Sequence, residues 1–216
     1  MKNLVCLISG RGSNLEALLD AAAREQWETT LDARIAGVIS NRADAAGLAM
    51  AAARGVPTQV IDHRQHASRD SFDAALMQAI DALRPVRVVL AGFMRVRTAA
   101  FVDHYAGRMI NVHPSLLPAF PGLATHRQAL AAGVRVHGAT VHFVSHDVDG
   151  GAIIGQAVVP VHADDTEETL AARVLAQEHV LLPRCVRLVL QGRVRLLQGR
   201  TVVHEAAGEA LALFGD

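Results

Sequence analysis

Leu4-Val5-Cys6-Leu7-Ile8-Ser9-Gly10-Arg11-Gly12-Ser13-Asn14 runs from an unbroken apolar stretch through a glycine loop into a helical pattern. Apolar residues without alternation read as a strand covered on both faces, and a strand that turns at once into a helix begins a wound parallel sheet. Outward from this point the two periodicities keep alternating. Strands are predicted at residues 4–9, 35–40, 58–61, 86–91, 139–144 and 153–161, with a further one entering Asn111. Helices are predicted at residues 14–26, 45–54, 69–83, 99–104, 127–132 and 166–191. Gly55, Pro57, Pro85 and Gly133 supply the punctuation, whereas Pro183 is expected to kink or split the longest helix. Residues 193–197 and 201–204, on either side of Gln198-Gly199, read as a terminal hairpin. The predicted class is α/β: a Rossmann-like, mostly parallel twisted sheet with helices on both faces.

A chain of 216 residues, 51% of them hydrophobic, can bury a full core and fits one α/β domain. Lys plus Arg and Asp plus Glu both number 21, so no global field draws in a polyanion and nucleic acid is not an expected partner. The apolar part of the N-terminus is too short for a signal peptide, and no later stretch is long enough to span a bilayer. A cytoplasmic protein without a membrane partner is expected. Cys6 and Cys185 sit in apolar elements, have no C-x-x-C spacing and read as reduced packing residues. Among the 11 histidines, His137, His142 and His146 lie on a predicted strand and turn and not in the i, i+4 register of a helix, and they lack the Cys or carboxylate company of a metal site, so no metal is expected.

Asn111-Val112-His113-Pro114-Ser115-Leu116-Leu117-Pro118 follows the apolar run Arg108-Met109-Ile110. Side chains two apart on a strand share a side, so Asn111 and His113 project together beyond the strand's carboxyl end. An amide donor beside a titratable base suits acyl transfer. The turn-rich segment Ser145-His146-Asp147-Val148-Asp149-Gly150-Gly151 ends a strand expected to neighbour this one. A carboxylate at Asp149 would favour the charged form of His113, which with Asn111 could donate to a developing oxyanion. Each residue also has a plainer reading, as a hydrogen-bonded strand histidine and as a turn residue before two glycines. The loop at residues 9–14 can offer backbone N–H groups and a helix's positive end to a phosphate, with Ser13 as the cap. Taken alone it is equally a tight turn. It is not a dinucleotide fingerprint, because Leu15 replaces the third glycine and Ser40-Asn41-Arg42 ends the second strand without an acidic residue.

Ile8-Ser9-Gly10-Arg11-Gly12-Ser13-Asn14-Leu15, Leu90-Ala91-Gly92-Phe93-Met94-Arg95, the stretch at 111–118 with Pro121-Gly122, His137-Gly138, Val141-His142-Phe143-Val144 and Asp149-Gly150-Gly151 occur in one order. As a set they resemble the phosphoribosylglycinamide formyltransferases, a folate-dependent formyltransferase family of purine biosynthesis. The resemblance runs from the first strand to Gln177-Glu178-His179. It implies the formyltransferase fold and direct transfer of a formyl group from the co-substrate 10-formyltetrahydrofolate to the amino group of glycinamide ribonucleotide. The implied path is a tetrahedral intermediate, with no covalent enzyme intermediate and no metal. Asn111 and cationic His113 would stabilise the oxyanion, while Asp149 holds His113 charged and orients a water that relays the proton.

By the same resemblance, Gly12, Ser13, Asn14 and Glu178 match positions that hold the ribonucleotide. Arg69, Met94, Arg95, Val96, Arg97, Asn111, Ser145, His146, Asp147, Val148 and Asp149 match the folate pocket. Arg97 departs from the apolar residue expected there, and Leu175 from a polar one that can assist the nucleotide. A single domain over residues 1–216 is expected, the part up to about 105 binding the nucleotide phosphate and the rest binding folate and carrying catalysis. Small-molecule substrates and a monomer or homodimer go with it. Methionyl-tRNA formyltransferase resembles a longer chain with a nucleic-acid-binding domain. Formyltetrahydrofolate deformylase, which uses water as acceptor, carries an N-terminal regulatory domain, whereas the first strand here begins at residue 4. A non-catalytic nucleotide-binding module would use the glycine loop alone and leave Asn111, His113 and Asp149 without a shared purpose.

Overall fold

The computed structural model describes residues 1–204 and 211–215. The chain divides into two compact units, Met1–Ile110 and Asn111–Asp216.

In the first unit β1 (Lys2–Ile8), β2 (Ala33–Ser40), β3 (Thr58–Val60) and β4 (Pro85–Leu90) lie in the order β4-β1-β2-β3, every pairing parallel. Leu4, Val5, Cys6, Leu7 and Ile8 are completely buried, as a strand paired on both edges and covered on both faces must be. The helices are α1 (Ser13–Arg24), α2 (Trp27–Thr30), α3 (Ala46–Ala53), α4 (Arg69–Ala82) and α5 (Ala99–His104). α1 turns Leu15, Leu18 and Leu19 inward, an i, i+3, i+4 face. α4 opens with a reciprocal cap in which the Ser71 N–H donates to the Ser68 hydroxyl and the Ser68 N–H to that of Ser71. The chain leaves β1 toward β2 and β3 and returns with β4 on the opposite edge of β1. Between β1 and β4 lies a switch point, and the carboxyl ends of these strands flank the crevice where open α/β sheets bind ligands.

The second unit is entered through β5 (Met109–His113) and continues with α6 (Thr125–Ala132), β6 (Val136–Phe143), β7 (Ile153–Pro160), α7 (Glu167–Leu190), the hairpin β8 (Val194–Leu197) and β9 (Arg200–Val203), and β10 (Ala212–Phe214). Its sheet strands follow the order β10-β7-β6-β5, with β6 and β7 antiparallel and β7 and β10 parallel. Opposite the step from Val141 to His142 the β6–β7 register slips by one residue, leaving Ile154 as the extra residue on β7. Parallel pairing thus predominates and helices intervene between strands, which is the α/β class expected.

Several elements differ from expectation. β2 begins at Ala33, β6 at Val136 and α6 at Thr125, each two or three residues early, and α2 and β10 are too short to show a period. Ser13 is not the helix cap. Gly12 occupies that position at φ 81° with no side-chain cap, and Ser13 is the first helical residue. A Cβ on Gly12 would come within 2.8 Å of the Gly47 Cα, so the turn must be made at glycine and the helix starts directly after it. Pro183 does not split α7, which is one helix from Glu167 to Leu190. Leu181, Leu182, Cys185 and Val186 around it are completely buried, and their packing outweighs a proline penalty of about 3 kcal/mol. Cys6 and Cys185 are free and buried, and burial pushes both thiols up to about 12. Among the described residues no helix is long and apolar enough to cross a membrane.

Candidate active site

β5 delivers Asn111 and His113 two residues apart, and the loop between β6 and β7 brings Asp149 to them. His113 is only 5% exposed. Its Nδ1 lies 3.3 Å from Asp149 Oδ2 and its Nε2 3.0 Å from the Phe120 carbonyl oxygen. Both ring nitrogens therefore face oxygen atoms that can only accept. Asp149 Oδ2 also accepts the Gly122 N–H at 2.9 Å, tying the loop after β5 to the loop after β6. Asp149 sits at φ 55°, in the left-handed region that a non-glycine residue occupies at a cost. At the neck of its loop the Phe143 N–H donates to the Ala152 carbonyl at 2.9 Å, and a Cβ on Gly151 would overlap the Phe143 carbonyl oxygen, so only glycine fits.

Asn111 is held from its other side. Its Nδ2 lies 3.1 Å from His142 Nε2, and His142 Nδ1 lies 3.0 Å from the Phe143 carbonyl oxygen. Burial pushes the His142 ring down from the ordinary imidazole value, against smaller upward pulls from the Phe143 carbonyl and Asp149. Its Nε2 stands 3.9 Å from Asp149 Oδ1. His126 and His137 pack edge to face at 5.3 Å, and Phe120 meets the His137 ring at 5.9 Å. Burial lowers both imidazoles, His137 to about 4, so the two act as neutral packing groups. Among the described residues no three His, Cys, Asp or Glu side chains are grouped to hold a metal ion.

The glycine loop builds a separate cavity in the first unit. It measures about 400 Å³ and is lined by Gly10, Arg11, Gly12, Ser13, Asn14, Asn41, Arg42, His63 and Arg95 among others. Ser9 organises it: its hydroxyl donates to Asn41 Oδ1 at 2.6 Å and accepts the Met94 N–H at 2.8 Å, joining the loops after β1, β2 and β4. The α1 N-terminus opens on this cavity with no side-chain cap at Gly12, so the positive end of the helix faces the space an anion would enter. A larger cavity of about 700 Å³, lined by Leu19, Trp27 and Ile35 among others, contains none of the expected site residues.

Of the residues matched to folate, Arg69 is exposed at the start of α4, and Met94 and Val96 are exposed at 74% and 57%. Arg95 is half-buried with its guanidinium 5.9 Å from the centre of the Phe72 ring. Arg97 lies over Phe93 at 4.2 Å and Phe101 at 5.8 Å, and burial pushes it down to about 10. The aromatic faces thus accommodate a cation where an apolar residue was expected. In the second unit the Ser145 hydroxyl donates to the Asp147 carbonyl at 3.2 Å, while His146, Asp147 and Val148 form an exposed loop. Glu178 is buried on α7, with Leu175 half-buried on the same helix. The structure therefore assembles Asn111, His113 and Asp149 around one point, and Gly12, Ser13 and Asn14 around another.

Sequence reading missed Ser9, Asn41, Phe120 and His142. Asn41 carried a usable signal, since it follows the end of β2 beside the switch point. His142 stood in the motif Val141-His142-Phe143-Val144 but was given no role, and its alternation with Thr140 along β6 does not distinguish a packing histidine from one in the site.

The chain matches the family model described as formyl transferase over residues 2–186. It is 48% identical over 194 residues to the phosphoribosylglycinamide formyltransferase of Escherichia coli (strain K12), with 90% of each chain covered. The crystal structure of glycinamide ribonucleotide transformylase 1 from Symbiobacterium toebii superposes with a TM-score of 0.89 at 45% identity, over 95% of both chains. A formyltetrahydrofolate deformylase from Pseudomonas syringae pv. tomato superposes at TM-score 0.84 with 30% identity, over 94% of this chain and 66% of that one. With a family match over most of its length and near-half identity to a relative of the same extent, the chain belongs to the formyl transferase family.

Proposed function

We propose that this chain transfers the formyl group of 10-formyltetrahydrofolate to the amino group of glycinamide ribonucleotide, a step of de novo purine biosynthesis. The observation that carries the reading is the His113–Asp149 pair at 3.3 Å beside the Asn111 amide. The substrate amine attacks the formyl carbon, and the carbonyl electron pair moves onto oxygen. That oxyanion takes a hydrogen bond from the second amide hydrogen of Asn111 and one from His113 Nε2, which exchanges the Phe120 carbonyl for a stronger, charged acceptor. Asp149 balances the imidazolium. Collapse of the tetrahedral intermediate breaks the bond to the folate nitrogen N10, which receives the proton shed by the amine, relayed by a water held at Asp149. The products are the formylated nucleotide and tetrahydrofolate.

Gly12, Ser13 and Asn14 hold the nucleotide phosphate at the α1 N-terminus, and Glu178 contacts the nucleotide. The loops carrying Met94 to Arg97 and Ser145 to Asp149, with Arg69, take the folate. Spectrophotometric measurement of folate product with and without glycinamide ribonucleotide, with His113→Ala as control, tests the reading. Nucleotide-dependent turnover that disappears in the variant is the expected result. Folate release that ignores the nucleotide would mean a deformylase, and no release in either condition would remove formyl transfer between these substrates.

A further inference from the structure

We infer that His142 is a positioning residue for the reaction: as a neutral imidazole with its proton on Nδ1, it accepts a hydrogen bond from Asn111 at Nε2 and so aims the amide's second hydrogen at the substrate oxygen. The inference rests on the catalytic reading of Asn111 given above. Its physical basis is a chain of obligate donors and acceptors. The Phe143 carbonyl, 3.0 Å from Nδ1, can only accept, so Nδ1 must carry a proton. Nε2 of a neutral ring is then a lone pair, and the group 3.1 Å away on Asn111 must be its NH₂ end and not its carbonyl. An amide so fixed points one hydrogen at His142 and the other away from it. Without that acceptor the amide is free to turn its carbonyl oxygen toward the oxyanion, which repels instead of stabilising.

Three features of the fold support this role over plain packing. His142 is 2% exposed, so no water substitutes as Asn111's partner without rearrangement. The register slip between β6 and β7 falls at His142, and such irregularities re-aim side chains next to active sites. Burial also disfavours the imidazolium, and His113 in the same cluster acts in the same direction. A protonated His142 would present N–H to N–H at Asn111 and break the arrangement.

The test is a double-mutant cycle with steady-state kinetics for both substrates. His142→Phe removes the acceptor, His142→Asn keeps a polar group that is too short to reach Asn111, and His142→Gln extends an amide oxygen to where Nε2 stood. His142→Phe and His142→Asn are expected to lower kcat about 10- to 100-fold with both KM values within about twofold, and His142→Gln to recover most of the loss. On an Asn111→Ala background the same His142 substitutions should cost no more than about twofold further, because their effect passes through an amide that is no longer there. Full, additive losses on that background overturn the inference while leaving the role of Asn111 intact. Retained turnover in Asn111→Ala itself overturns both readings. Nitrogen-15 spectra of the imidazoles in the unaltered protein give an independent check: a pyridine-like Nε2 for His142 at neutral pH is expected, and a protonated Nε2 would overturn the inference without reference to activity.

Discussion

Replacing Asp149 with asparagine removes one charge and almost no volume. In the structure Oδ2 serves two donors, the Gly122 N–H at 2.9 Å and His113 Nδ1 at 3.3 Å. The asparagine oxygen can take that place and keep both contacts, so the fold survives. What falls is the strength of the His113 contact, from an ion pair at 3.3 Å to a contact with a neutral amide, a change on the scale of the ~1 kcal/mol that ion pairs contribute. A stability loss of about 1 kcal/mol follows, which for a chain of this size lowers Tm by about 2–4 °C. The new NH₂ group would then occupy the position of Oδ1, 3.9 Å from His142 Nε2 and outside hydrogen-bond range, so the His142–Asn111 contact stays as it is.

Catalysis should suffer more than stability. Without the carboxylate, an imidazolium at His113 has no counter-charge. If the substitution removes the equivalent of one oxyanion donor, the barrier rises by about 3–4 kcal/mol, a loss of 10²- to 10³-fold. The loss should appear in kcat with KM little changed, because the charge it opposes exists only in the transition state. Steady-state rates for both substrates, paired with thermal melts of the same preparations, measure the two effects side by side. A kcat within about threefold of the parent protein would refute the assignment of Asp149. A melt depressed by more than about 10 °C would show instead that the carboxylate is a structural tie between the two loops.

Gly12→Ala forces a side chain onto a φ of 81° and 2.8 Å from the Gly47 Cα. The combined conformational and steric cost is about 2–4 kcal/mol, to be read from the urea midpoint, and the KM for the ribonucleotide should rise while that for the folate stays; an unchanged midpoint would refute the close packing at this turn. Burial holds His137 at about 4. The unfolded chain, with an ordinary imidazole near ~6.5, therefore binds the proton first, so this residue makes stability fall as pH drops from about 6.5 to about 4, by about 3 kcal/mol in all. His126 and His142, also pushed down by burial, act in the same direction. His137→Leu should flatten the acid limb of a stability-versus-pH curve, and superimposable limbs would show that His137 is not held neutral.

Much of the fold was legible because its determinants are local. The run Leu4 to Ile8 announces a strand by being unbrokenly apolar, and α4 declares its face through Phe72, Leu76 and Ile80. What escaped depends on context. α2 spans four residues, too few for a period. Ser13 has the chemistry of a cap, yet the approach of Gly47 moves the turn one residue earlier. Pro183 breaks an isolated helix, and only burial of its neighbours makes α7 continuous.

The site divides along the same line, and the division explains why its partners were harder to find than its principals. Asn111 and His113 follow from one local rule, the two-residue repeat of a strand. Asp149 was visible as a carboxylate in a turn, but its approach to His113 requires a left-handed backbone at φ 55° and a glycine at 151 that lets the hairpin neck close on Phe143. His142 reaches Asn111 across 31 residues of sequence, and Ser9 reaches Asn41 across 32. Neither link leaves a mark in composition or periodicity, because each depends on which atom of a side chain carries a proton or a lone pair. Propensity and patterning describe where the chain is regular. At this site the chemistry is placed by departures from regularity, the slipped register at Ile154 and the left-handed Asp149 and Phe120, whose strain persists only because the sheet around them is firmly packed.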